Sequence, residues 1–204
     1  MSTLVVEPEI STGTPPIILQ FEPALNLTED QFFEFCQINR ELILERTAQR
    51  EVVIMSPLGG LSGRREAQIN KQLANWAELN GTGEVFSPST GYRLPDGSVR
   101  SPDASWVSFA QLKKLTADEA VKFLPLCPEF VIELRSPTDR VKYLKEKMAD
   151  YMDNGAQMGL LIIPELKQVF VYRKNQPALQ VDNCDTISCD PVLPGFELDL
   201  RKIW

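Results

Sequence analysis

Phe130-Val131-Ile132-Glu133-Leu134 is the segment that most constrains the fold of this chain. A near-continuous apolar run of that length reads as a strand covered on both faces, which implies a sheet packed between helices. Glu133 stands inside it, and a carboxylate there is costly to bury unless it is paired, hydrogen-bonded or bound to a metal. Alternation puts Val131, Glu133 and Arg135 on one face of the strand and Ile132 and Leu134 on the other. Thirty residues earlier, Ser101-Pro102-Asp103 places a second acid at the head of another apolar run, Ala104–Ser108. If the two strands run side by side, Asp103 shares a face with Glu133. Two carboxylates converging there repel one another and raise one pKa unless a cation neutralises them.

The rest of the chain supports an α/β reading. Thr28-Glu29-Asp30-Gln31 is a capping box opening a helix to about Asn39, and two strands follow between Leu42 and Met55. A second helix is expected from about Arg64 to Leu79, with Gly81 near its end. Short strands occupy 84–108, with Pro95-Asp96-Gly97-Ser98 turning between Tyr92–Leu94 and Ala104–Ser108. Thr116-Ala117-Asp118-Glu119 opens a short helix. A long helix runs from Ser136-Pro137-Thr138-Asp139 to about Asn154, and a hairpin turns at Pro164-Glu165. The tail around Leu193–Leu198 returns apolar residues to the core. Residues 1–16 read as a loose tail or edge arm, and the 204 residues suit one domain over 25–204 preceded by that arm over 1–24.

The chain contains no histidine, so its chemistry must rest on carboxylates, lysines, hydroxyls or thiols. Neither G-x-S-x-G nor a Walker A pattern occurs, and Ser or Cys nucleophiles have no base. The four cysteines lack C-x-x-C spacing, which argues against zinc. A net charge of −7 opposes indiscriminate coating of nucleic acid but leaves room for a local basic groove. No apolar run reaches the roughly 20 residues of a membrane span. The N-terminus also lacks a secretory pattern, so a cytoplasmic location is expected.

For the two acids, Mg²⁺ is the fitting cation, since it takes oxygen ligands and uses only one or two protein carboxylates. The competing reading is an ordinary ion pair of Asp103 or Glu133 with Arg100 or Arg135. On the long helix, Val141, Leu144, Met148, Tyr151 and Met152 make a buried stripe with Lys145 and Lys147 flanking it on opposite sides. Either ammonium could reach a site at the stripe's edge; the competing reading for Lys147 is a solvated flank residue.

These residues carry a resemblance. Ser101-Pro102-Asp103-Ala104-Ser105-Trp106-Val107, then Phe130 to Asp139, then Lys145-Glu146-Lys147-Met148-x-x-Tyr151-x-x-x-Gly155 resemble the Uma-two type restriction-endonuclease-like proteins of the PD-(D/E)XK nuclease superfamily. The likeness runs from about residue 25 to the C-terminus. It implies a restriction-endonuclease-like fold, a mixed central β-sheet flanked by helices, working as a homodimer on DNA with Mg²⁺ (or Mn²⁺). It also implies metal ligation by Asp103, Glu133 and the backbone carbonyl of Leu134. The superfamily's lysine usually lies two residues after the acid, where this chain has Arg135, which stays protonated and cannot be a general base. The family pattern moves the lysine to the following helix, as Lys147, with Lys145 as an accessory. A further acid from the earlier helix would be Glu66, although the pattern places it nearer Gln68. Hydrolysis of DNA phosphodiesters is the leading expectation. The alternative is a catalytically inactive nuclease-fold protein acting as a binding or regulatory module, and a purely structural interaction role is a third.

Overall fold

The computed structural model describes residues 16–22 and 24–204, so most of the expected N-terminal arm lies outside the described residues. Beyond residue 16, Ile17–Leu19 forms strand β1. The chain continues through α1 (Glu29–Ile38), β2 (Ile43–Arg46), β3 (Val52–Met55), α2 (Gly60–Asn80) and β4 (Gly83–Phe86). Next come β5 (Tyr92–Arg93), β6 (Val99–Arg100), β7 (Ala104–Ser108), α3 (Phe109–Leu112), α4 (Ala117–Ala120) and β8 (Phe130–Leu134). The last elements are α5 (Val141–Asp153), β9 (Met158–Ile163), β10 (Gln168–Arg173), β11 (Leu179–Asp182), β12 (Thr186–Ser188) and β13 (Glu197–Asp199).

The central sheet has six strands in the order β11-β10-β9-β8-β7-β4. Only β8 and β9 run parallel, joined by the α5 crossover. β8 is buried along its whole length, as its composition requires. One face packs Ile132 and Leu134 with Ala104, Leu160 and Ile162 against Ile69, Leu73 and Ala77 of α2. The opposite face packs Val131 and Leu161 against Leu144, Met148 and Tyr151 of α5. Gly159 lets α5 approach this closely, because a Cβ there would stand 2.3 Å from Met148 Cε. The returning tail adds Leu193, Phe196, Leu198, Leu200 and Ile203 to the α2 side. A second sheet, β1-β3-β2-β6-β5, stands beside this body with α1 against it through Phe32.

Both capping boxes form as expected, at Thr28/Gln31 and Thr116/Glu119. Three local expectations need correction. α2 begins at Gly60 rather than Arg64, since glycine is acceptable at the cap. The turn at Pro95–Ser98 joins β5 to β6, a two-residue strand too short to read from sequence. Ser136–Asp139 is a turn preceding α5 rather than its first turn. Asp139 Oδ2 accepts from Ser136 N at 2.8 Å and the Asp139 N–H donates to Ser136 O at 3.0 Å, bonds that compete with helix formation. Among the described residues, no helix is long and apolar enough to cross a membrane.

Candidate functional site

β7 and β8 are antiparallel neighbours with Ala104 opposite Ile132. Continuing that register sets Asp103 opposite Glu133, with both side chains on the α5 face. Asp103 Oδ2 accepts from the Leu134 N–H at 2.6 Å, closing the end of the ladder. The same register sets Pro102 opposite Leu134. Proline has no N–H, so the ladder supplies no donor for the Leu134 carbonyl.

Lys147 enters this face from α5 and is only 2% exposed. Its Nζ lies 2.9 Å from Glu133 Oε1, 2.8 Å from Glu45 Oε1 and 3.3 Å from the Ser101 carbonyl oxygen. These three partners match its three N–H donors. Glu133 Oε1 also accepts from the Tyr151 hydroxyl at 3.0 Å. Both contacts therefore fall on one oxygen, leaving Glu133 Oε2, like Asp103 Oδ1, outside them. Among the described residues, the competing ion pairs of these two acids with Arg100 or Arg135 do not form. Arg100 pairs with Glu45 at 3.3 Å and Asp150 at 2.5 Å, and Arg135 pairs with Glu165 at 3.1 Å.

Glu45 escaped the sequence reading. It projects from β2 of the second sheet, is 1% exposed, and accepts from the Ser101 N–H at 2.9 Å as well as meeting Lys147 and Arg100. Its signal was the one that identified Glu133: an acid inside an apolar strand, here Ile43-Leu44-Glu45. Tyr151 packs in the apolar stripe of α5, while its hydroxyl donates to Glu133 at the site.

The electrostatics follow from this burial. Desolvation, with the Asp103 charge adding to it, raises Glu133 to about 8 against the pull of Lys147. Desolvation likewise lifts Asp103 to about 7, against the pull of Lys147 and the Leu134 N–H, with Glu66 and Asp139 adding to the rise. Burial opposes the charge on Glu45 too, but Lys147 and Arg100 hold it below the usual carboxylate range. Burial also opposes the Lys147 charge, yet Glu133, Glu45 and Asp103 keep its pKa above that of an ordinary ammonium.

Glu66 comes into this field from α2: it is half-buried and raised by desolvation and by the Glu133 charge. Asn70, one turn on, fastens α2 here by donating to the Asp103 carbonyl at 2.7 Å and to the Glu66 carbonyl at 3.1 Å. Gln68 makes no side-chain hydrogen bond with these groups among the described residues. Lys145 is not brought to the site. Its Nζ lies 4.2 Å from the centroid of the Phe170 ring, on the other flank of the helix stripe. Arg135 turns away from Glu133 to Glu165 and to the Asp139 carbonyl at 3.1 Å.

Among the described residues, no group of three or more His, Cys, Asp and Glu side chains is arranged to cage a metal. The donors present fit a hard cation that keeps most of its own water: two carboxylates and one carbonyl without a ladder donor. Asp103 is only partly buried, whereas Glu133 is closed off, so the open side of the pair is at Asp103. A concavity of about 740 Å³ beside Asn154, Tyr172 and Lys174 and one of about 150 Å³ beside Glu29 and Arg93 contain none of these groups.

Residues 29–201 match the Uma2 family, described as "Putative restriction endonuclease". No curated protein matches the chain. Among solved structures, one described as a putative nuclease belonging to DUF820, from Anabaena variabilis ATCC 29413, is similar. The two share 18% identity over 78% of this chain and 88% of that one, with a TM-score of 0.67. At that identity the likeness shows the fold, which is restriction-endonuclease-like.

Proposed function

The chain belongs to the Uma2 family of putative restriction endonucleases, and from that premise we propose that it is a Mg²⁺-dependent nuclease hydrolysing phosphodiesters in DNA. The observation that carries this reading is the convergence of Asp103, Glu133 and Lys147 on one face at the end of the β7–β8 ladder. Asp103, Glu133 and the Leu134 carbonyl would hold the cation. Bound there, Mg²⁺ supplies an activated water and neutralises charge on the phosphate. The three acids around Lys147 hold its proton in the metal-free protein, and an ammonium there would orient the nucleophile or offset charge developing on the phosphate. Glu45 and Tyr151 are positioning residues, the first acting on Lys147 and the second on Glu133.

Supercoiled plasmid incubated with Mg²⁺ or Mn²⁺ tests the proposal. We expect nicking by the wild type, none after chelation with EDTA, and none with Asp103→Ala or Glu133→Ala. Equal nicking by all three proteins would sink it. A second reading, a non-catalytic binding module, is favoured by one observation: Lys147 has all three donors engaged within the protein. Metal-dependent nicking separates the two.

We also propose that the protein works as a homodimer. Among the described residues β1 is an edge strand whose Ile17, Ile18 and Leu19 are 62%, 43% and 39% exposed, and such edges pair readily with another copy. Sedimentation analysis should give a dimer that Ile18→Lys shifts toward monomer; a wild-type monomer at all concentrations would refute this.

A further inference from the structure

Two buried guanidiniums converge on a single carboxylate beside the candidate centre. Arg65 of α2 is 8% exposed and Arg135, just past β8, is 2% exposed. Their NH1 atoms lie 3.5 Å from Oε1 and 3.1 Å from Oε2 of Glu165, so each takes a different oxygen of the same group. Backbone carbonyls aim both forks. Arg65 Nε donates to Ile203 O at 2.7 Å, and Arg135 Nε donates to Asp139 O at 3.1 Å. Glu165 is the exposed member, with about a third of its side chain open to solvent, on the turn Pro164–Leu166 that follows β9. Two cations and one anion leave a surplus positive charge in a chain whose net charge is −7.

We propose that Arg65 and Arg135 form a subsite for a backbone phosphate of nucleic acid, in which the Glu165 carboxylate stands in for that phosphate in the free protein. This rests on the nuclease reading for its substrate class and adds a specific device to it. A carboxylate and a phosphate present the same paired oxygens to a guanidinium fork, and arginine is the residue suited to both. The location fits a phosphate next to the one cleaved. Arg135 lies two residues beyond Glu133, and Arg65 adjoins Glu66, whose charge is felt by Asp103. Both parallel strands, β8 and β9, deliver their carboxyl ends here, the usual place for ligands in such sheets. Glu165 has only to swing outward from its turn to admit the competing anion.

The test is binding of a fluorescein-labelled DNA duplex in EDTA, at several salt concentrations, so that neither metal nor cleavage enters the measurement. Glu165→Gln keeps the shape and removes the charge. It should tighten binding by about 3–10-fold at low salt and steepen the salt dependence by roughly one phosphate contact. Glu197→Gln, an exposed acid elsewhere, serves as the control for general charge. Adding Arg65→Gln to Glu165→Gln should erase the gain. The Arg135 Nε–H resonance of the unsubstituted protein should also shift with added duplex, which needs no change at a buried arginine. A Glu165→Gln effect no larger than the control, a gain that survives loss of Arg65, an unmoved Arg135 resonance, or no duplex binding by any protein overturns the proposal. A clear Glu165→Gln gain in a protein that never nicks plasmid would overturn the nuclease reading alone.

Discussion

Asp103→Asn should lose metal-dependent cleavage by at least about 10²–10³-fold, the scale of removing one preorganised charge-stabilising group, and should gain stability in the same step. The gain follows from the direction of the shift. Asp103 ionises near 7 in the folded protein, well above its ordinary value, because burial outweighs the Lys147 attraction. A raised carboxylate pKa means that the wild type loses stability as pH climbs from the ordinary aspartate value to about 7, and stays at the lower level above that. Asparagine has no charge to desolvate and still accepts from the Leu134 N–H through its amide oxygen. In EDTA the substitution should therefore stabilise by about 1 kcal/mol at pH 8, or roughly 2–4 °C for a chain of this size, discounted for the partial exposure of Asp103. Near pH 4 the difference should vanish. A variant less stable than wild type at pH 8 would mean that the acid is a structural member of the ladder rather than a strained ligand.

Lys147→Met should act in the opposite direction. It removes the one ammonium shared by Glu45 and Glu133, both almost fully buried, and leaves Glu45 with Arg100 and Glu133 with the Tyr151 hydroxyl. Breaking a buried ion pair from one side costs about 3–5 kcal/mol. Urea denaturation should show a loss of that size and no cleavage by whatever protein remains folded. Glu45→Gln in the same chain should restore part of the stability, with a coupling of about 0.5–3 kcal/mol between the two substitutions. Strict additivity would mean that the contact seen between them contributes nothing.

Much of this arrangement was legible in the residues. The apolar run of β8 dictated a strand covered on both faces, and its alternation put Glu133 beneath α5. The flanking of the α5 stripe left Lys145 and Lys147 as alternatives, and the helix rotation decides for Lys147 by laying Lys145 over Phe170. What could not be read was the approach of distant pieces. Glu45 arrives from a different sheet, and no local pattern reports that Ile43–Arg46 will stand beside Ser101. Arg100 lies on a two-residue strand defined only by its neighbours. The Ser136–Asp139 turn resembles a helix start in sequence because an Asp that caps and an Asp that closes a turn have the same signature.

Lys147 is gripped by one carboxylate from each sheet, Glu133 from the central sheet and Glu45 from the second. Its ammonium is therefore a gauge of the gap between the two layers. A displacement of an ångström between them, with each layer internally unchanged, suffices to break one contact and hand the lysine to the other acid. The chemistry proposed for this protein is thus mechanically addressable from the second sheet, through Glu45.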